Sequence, residues 1–363
     1  MHIIGRGRWI LAATVVMAVA LGAWGFPRSG GDSGRDPSPA RSATSPGQPE
    51  ATATQTGAGA TEAGWVKREN AKPGSKAWMM KAKKLADDTQ LAGYTDHVSV
   101  LPGDPVGLYV TTTAPRFTVT AFRLGWYGGD LARRVWASSP LPGRNQAAAV
   151  IGAHRMVTTS WTVSTTIDTI GWPEGTYLLL LTDSRGLMKY VPLTVRSQTV
   201  AGRLVLVNAV TTYQAYNAWG GHSLYGGLGN DFGTRSTKVS FDRPYDRNGA
   251  RILTQYEQPV IAEAERGDLP LAYLTSIELD SDPQVLEGAR GLVSLGHDEY
   301  WTVGMRAAAT TARDAGTNLA FLGANSLYWR IRLEPSALGP DRVIVGYKSA
   351  VEDPVTNDAT TTA

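Results

Sequence analysis

Cysteine is absent from all 363 residues, which excludes disulfides, thiolate zinc sites, iron–sulfur clusters and cysteine nucleophiles together. Histidine is scarce: His2, His97, His154, His222 and His297 never fall four positions apart, so a local histidine-pair zinc helix is excluded too. Any metal must sit on nitrogen or oxygen. Charge is also thin, at 18% of residues against about 25% in ordinary domains. With 35 basic and 32 acidic side chains the net charge is only +3, and no nucleic-acid footprint follows from so small a balance. What the chain has in quantity is turn formers and rings: 40 glycines, 20 prolines and 11 tryptophans, a mix that favours turn-rich β structure with aromatic cores.

Arg6 and Arg8 precede an apolar stretch from Trp9 to Phe26, and no charge comes after it until Arg28. Residues 1–28 therefore read as an export signal, either cleaved, with Ala18-Val19-Ala20 as the small-x-small site, or retained as an anchor. The basic flank places the rest of the chain outside the cytoplasm, exported or facing outward, with membrane contact expected only through this segment if it stays uncleaved. Residues 29–64 are mostly Ser, Thr, Pro, Ala and Gly, too poor in large apolar groups to offset the entropy of ordering, and read as a disordered tether.

From residue 65 to 200 the pattern has period two. Phe117, Val119 and Ala121 alternate with Thr118, Thr120 and Phe122, and Tyr177 to Leu181 pairs with Tyr190 to Val195 across an Asp-Ser-Arg-Gly turn. Short strands so spaced predict an all-β sandwich, with Trp126, Trp136, Trp161 and Trp172 as packing groups. From 201 to 363 the grammar becomes strand, helix, strand. The apolar runs Arg203 to Asn208, Leu271 to Thr275, Gly291 to Leu295 and Asn318 to Leu322 suit a mostly parallel, doubly wound α/β sheet. Two helices are expected, Pro259 to Arg266 and Glu299 to Ala315, the second burying Val303, Ala307, Ala308, Thr311, Ala312 and Ala315.

Ligands of such sheets bind beyond the carboxyl ends of the strands, so the residues there carry the functional signal. After Asn208 come about 35 residues without sustained period but rich in rings, including Tyr213, Tyr216, Tyr225 and Tyr245. A loop that long and that aromatic is an ordered active-site loop or a cover over the sheet edge. GHDEYW comes after the third strand, where its two carboxylates are either helix caps, Asp298 foremost, or leave His297 and Glu299 to face the cleft together. Asn325 lies behind the fourth strand and is placed to donate an amide into the same cleft or to cap a turn. Gly226 to Gly233 completes neither G-x-G-x-x-G nor a P-loop, and Ser294 lies one residue out of register with a G-x-S-x-G elbow.

The strings TTYQAYNAWGGHSLY, SFDRPY, GHDEYW and AFLGANSLYWRIRLE resemble the large (beta) subunit of N,N-dimethylformamidase in its C-terminal domain. GYTDHVSVLPGD and FRLGWYGG resemble the β-sandwich preceding that domain in exported bacterial relatives. The resemblance implies a glutamine-amidotransferase-like α/β fold and a metal-dependent amidohydrolase acting on a small-molecule amide, with one iron (Fe3+) held by two tyrosines and a glutamate. Carried onto this chain, the ligands are Tyr216, Tyr245 and Glu299, with Tyr213 and Tyr225 as alternative rings, and His297 and Asn325 as catalytic polar groups. It also implies further strands past Val351, where this chain ends at Ala363. Phenolates and a carboxylate suit a hard cation such as Fe(III). An exported protein has no need to degrade a solvent-like amide, so the expected substrate is another amide. The competing expectation is a non-catalytic surface module that keeps the fold alone.

Overall fold

The computed structural model describes residues 64–361; the expected signal and nearly all of the tether lie outside the described residues. Among the described residues no helix is long and apolar enough to cross a membrane.

The first half is β-rich. Strands Leu91–Thr95, Pro105–Thr112 and Thr165–Asp168 form one antiparallel sheet. A second sheet runs Ser99–Val100, Met188–Val195, Gly175–Asp183, Arg116–Leu124, Ala132–Ala137, and its expected hairpin is present with Tyr177 opposite Leu193. Leu91, Leu108, Val110, Phe117, Val119, Tyr177, Leu179 and Leu181 fill the space between the sheets. Tyr177, Leu179 and Leu181, alternate residues of Gly175–Asp183, thus face this core. Leu178 and Leu180 point the other way, into a second core with Leu206, Val210, Tyr213, Ile261 and Tyr273. This explains why the strand reads as an unbroken apolar run rather than an alternation: neither face meets water.

The second half is built on a four-stranded parallel sheet, in spatial order Leu271–Thr275, Leu204–Asn208, Gly291–Ser294, Asn318–Phe321. The apolar runs predicted these strands to within a residue. Alternate side chains divide between the shared core and a third cluster holding Val205, Val207, Ala272, Leu292, Met305, Ala309 and Ala312. The order places the second strand outside the first and the third on its other side, so the chain reverses direction across the sheet between Leu204–Asn208 and Gly291–Ser294. That reversal opens a crevice at their carboxyl ends.

Two helix expectations are corrected. The helix Gln258–Arg266 ends before Gly267 as expected, but a π-helical turn, Leu253–Glu257, precedes it. The last long helix is Val303–Asp314 and does not begin at Glu299. Tyr300–Trp301 instead pairs in parallel with Trp329–Arg330, and Thr302 caps the helix by accepting the Met305 N–H at 3.0 Å. The buried face is Met305, Ala308, Ala309 and Ala312, whereas Val303, Ala307, Thr311 and Ala315 are exposed. Asp298 is no helix cap: it is buried below the sheet end and accepts the Ser294 hydroxyl at 2.9 Å.

Candidate functional site

The crevice is furnished by the two chain segments that leave its flanking strands. After Leu204–Asn208, the short helix Val210–Ala215 leads to Tyr216 as its C-terminal cap. The ring-rich loop beyond it is held by one buried guanidinium. Arg243 donates to the carbonyls of Asn217 at 2.9 Å, Trp219 at 3.0 Å and His222 at 2.9 Å. Asn217 returns the tie, donating to the Pro244 carbonyl at 2.8 Å while its own amide oxygen accepts the Trp219 and Asp246 N–H groups at 3.0 Å. The AYNAWGG and FDRPY strings are therefore two halves of one knot, and a loop so tied is ordered.

The second segment leaves Gly291–Ser294. The Thr212 hydroxyl accepts the Glu299 N–H at 3.0 Å, and the Glu299 carbonyl accepts the Trp329 N–H at 2.9 Å, so the backbone of Glu299 is fixed from both sides. Its carboxylate then meets the loop. Tyr216 donates to one carboxylate oxygen at 2.6 Å and Tyr225 to the other at 2.6 Å. The two hydroxyls are 3.0 Å apart, and the rings stack with centroids 4.4 Å apart. His297 Nε2 stands 2.9 Å from the Tyr216 hydroxyl and 3.3 Å from Glu299 Oε2. Tyr300 closes the floor, edge-on to both rings.

The electrostatics follow from this packing. Burial and then the hydrogen bonds to Glu299 push both the Tyr216 and Tyr225 phenols above their ordinary range, so without a cation each keeps its proton and donates it. Across the ring face of Tyr225 lies a group that sequence reasoning missed. Lys348 Nζ is 3.1 Å from the Tyr225 centroid, 4.8 Å from that of Trp329 and 5.4 Å from that of Tyr300. Burial lowers this ammonium to about 7, against the pull of Glu299. The only sequence signal for it was a lone charge closing the apolar run RVIVGY.

Of the other expected residues, Tyr245 is not part of the hydrogen-bonded group. The FDRPY half of the knot turns it toward the sandwich, where it lines a water-sized cavity of about 20 Å³ with Tyr94, Val98, Leu193 and Tyr213. Tyr213 donates to Glu257 instead of Glu299. Asn325 is exposed in a left-handed turn at φ 57°, its carbonyl accepting the Tyr328 N–H, and its side chain makes no hydrogen bond among the described residues. The second ring beside Glu299 is thus Tyr225.

Among the described residues no group of three or more His, Cys, Asp or Glu side chains stands ready for a metal. Phenols have to complete any such set, and these fit. Oxygens about 2.0–2.2 Å from a shared ion and at right angles lie roughly 2.8–3.1 Å apart. The two hydroxyls, 3.0 Å apart, already have that spacing, and each lies 2.6 Å from a different oxygen of Glu299, so the carboxylate would meet a shared ion with both oxygens or after turning one of them toward both phenols.

Fold and site together define a β-rich protein with a phenol–carboxylate cluster at the reversal point of a parallel sheet. The chain belongs to the N,N-dimethylformamidase beta subunit-like, C-terminal family, whose model matches residues 118–363. That family points to an amidohydrolase-like function. No curated protein matches the chain. Among solved structures, a Paenibacillus sp. cycloisomaltooligosaccharide glucanotransferase complexed with cycloisomaltoheptaose is 16% identical, over 34% of this chain and 16% of its own, with a TM-score of 0.18. Cwp6 from Clostridium difficile is 9% identical, over 65% of this chain and 37% of its own, with a TM-score of 0.17. Likenesses that slight bear on neither fold nor function.

Proposed function

We propose that this chain is an exported amidohydrolase which holds one Fe(III) between Tyr216, Tyr225 and Glu299 and hydrolyses the C–N bond of a small amide. The observation that carries the reading is the convergence of two phenols on the two oxygens of one buried carboxylate. Two phenolates and a carboxylate supply three negative charges, matched to a trivalent hard cation. The strand order, with ligand groups at the reversal point, supports a glutamine-amidotransferase-like α/β fold. The apolar stretch from Trp9 to Phe26 behind a basic flank supports export.

Bound iron would supply Lewis acidity for an amide carbonyl. The chain's own groups do the rest. Tyr216 and Tyr225 release their protons when they become ligands, and their stacking keeps both oxygens on one side of Glu299. His297, within hydrogen-bond reach of the Tyr216 hydroxyl, stays neutral beside the phenolate, takes one proton from the attacking water and gives that proton to the departing amine.

The test is metal analysis with an absorption spectrum of purified protein. Wild type is expected to carry about one iron per chain and a visible phenolate-to-iron band. Tyr216→Phe, Tyr225→Phe and Glu299→Gln should each lose the band, and Tyr245→Phe should keep it. Wild-type protein without iron or colour after reconstitution would refute the proposal.

A further inference from the structure

Among the described residues Lys348 carries an amino nitrogen that the fold leaves without a polar partner. Its Nζ is buried and has no hydrogen-bond partner, and it forms no ion pair among the described residues. Three aromatic rings surround it, so attraction to their faces is the compensation the fold supplies. An ammonium carries three N–H donors, and ring faces satisfy none of them as ordinary hydrogen bonds. Stripping such a group of water costs more than ring faces return. Its backbone adds to the cost: Lys348 has φ 64°, a left-handed conformation that a residue with a side chain rarely adopts. Strain and an unmet charge coincide in one residue, and the ring it covers is that of Tyr225, whose hydroxyl binds Glu299. Such costs gather where a ligand later repays them.

We propose that Lys348 is a catalytic residue that donates a hydrogen bond to the carbonyl oxygen of the substrate as that oxygen acquires negative charge. The inference rests on the amidohydrolase reading and names the substrate atom this side chain serves. As water bonds to the amide carbon, the carbonyl π pair moves onto oxygen, and the waiting ammonium donates to it. When the C–N bond breaks, its electron pair stays on nitrogen, which takes a proton originating from the attacking water, and the carbonyl re-forms. The protonated form of Lys348 serves this step and ends it with its proton still in place.

The alternative is that Lys348 is a plug, held by the rings for stability. Lys348→Met and Lys348→Arg in the full chain separate the two. If the ammonium serves the substrate, Lys348→Met removes a stability cost and the melting temperature of the protein, freed of metal by chelation, rises. With a panel of N-alkylformamides and acetamides, kcat should then fall about a hundredfold with KM changed less than threefold, and Lys348→Arg should recover at least a tenth of the wild-type kcat. A lower melting temperature for Lys348→Met, or an unchanged kcat, overturns the proposal. Iron content and wild-type turnover separate its failure from that of the amidohydrolase reading. A wild type that hydrolyses no amide sinks that reading, and the melting temperatures still decide whether Lys348 is a plug.

Discussion

Glu257 shows how much a single buried acid contributes to the pH response. It sits on the π-helical turn and accepts from the Asn208 amide at 2.6 Å, the Ala209 N–H at 3.1 Å and the Tyr213 hydroxyl. Burial nonetheless outweighs those donors and raises the acid to about 8. In the unfolded chain it ionises near 4.5, so between that value and about 8 the folded state binds a proton that the unfolded state has lost. Its contribution to stability is complete below the window and falls as pH rises through it. Glu257→Gln should therefore flatten the decline in melting temperature between about pH 5 and pH 8.5, and a slope equal to that of wild type would refute this assignment. Residue by residue, a place close behind a strand end marked His297 and Glu299 as candidate cleft groups, and the family resemblance picked out Tyr216 with Tyr213 and Tyr225 as alternatives. It did not distinguish Tyr225 from Tyr245, because the choice depends on how Arg243 folds the loop back on itself. Lys348 lies 49 positions beyond Glu299, and nothing local announces it.

At the scale of elements, the ring-rich loop depends on one side chain near its far end. Arg243 is fully buried, and burial lowers its guanidinium to about 10, which still leaves it charged at neutral pH. Arg243→Leu would orphan three buried carbonyls and is expected to cost about 3–5 kcal/mol, read from denaturant midpoints. Any iron band should disappear in this variant even below its melting temperature, because both rings hang from the loop; a full band in a folded Arg243→Leu protein would contradict this. The strands were legible because buried parallel strands need unbroken apolar runs, which survive any tertiary context. The start of the last helix was not. Glu299 resembles a first-turn acid, but Tyr300–Trp301 is drawn into a pairing with Trp329–Arg330, and no local pattern reports a partner so distant in the chain.

At the scale of the whole molecule, the two halves are fastened by a buried ion pair. Arg123 donates to Glu265 at 2.6 and 3.1 Å, both side chains being fully buried, and Asn70 and Tyr273 also donate to that carboxylate. The pair joins strand Arg116–Leu124 to helix Gln258–Arg266. Arg123→Met leaves a charged acid in the interior and should cost about 3–5 kcal/mol. Because the cores are shared, calorimetry should still show one transition in which both halves melt together; two separated transitions would refute the coupling. The change of pattern near residue 200 was plain in the sequence. The common core was not, since the unbroken run Leu178 to Leu181 reports that both faces are covered but not that the parallel-sheet half covers one of them.

That two-faced strand sets a rule for anyone dissecting the chain. Cutting near residue 200 to isolate the parallel-sheet half would peel away Leu178, Leu180 and Tyr190 and leave Leu206, Val210 and Ile261 as an oily, uncovered surface. A soluble fragment has to keep the upstream sheet, so the smallest portable piece is set by shared wallpaper rather than by the apparent seam.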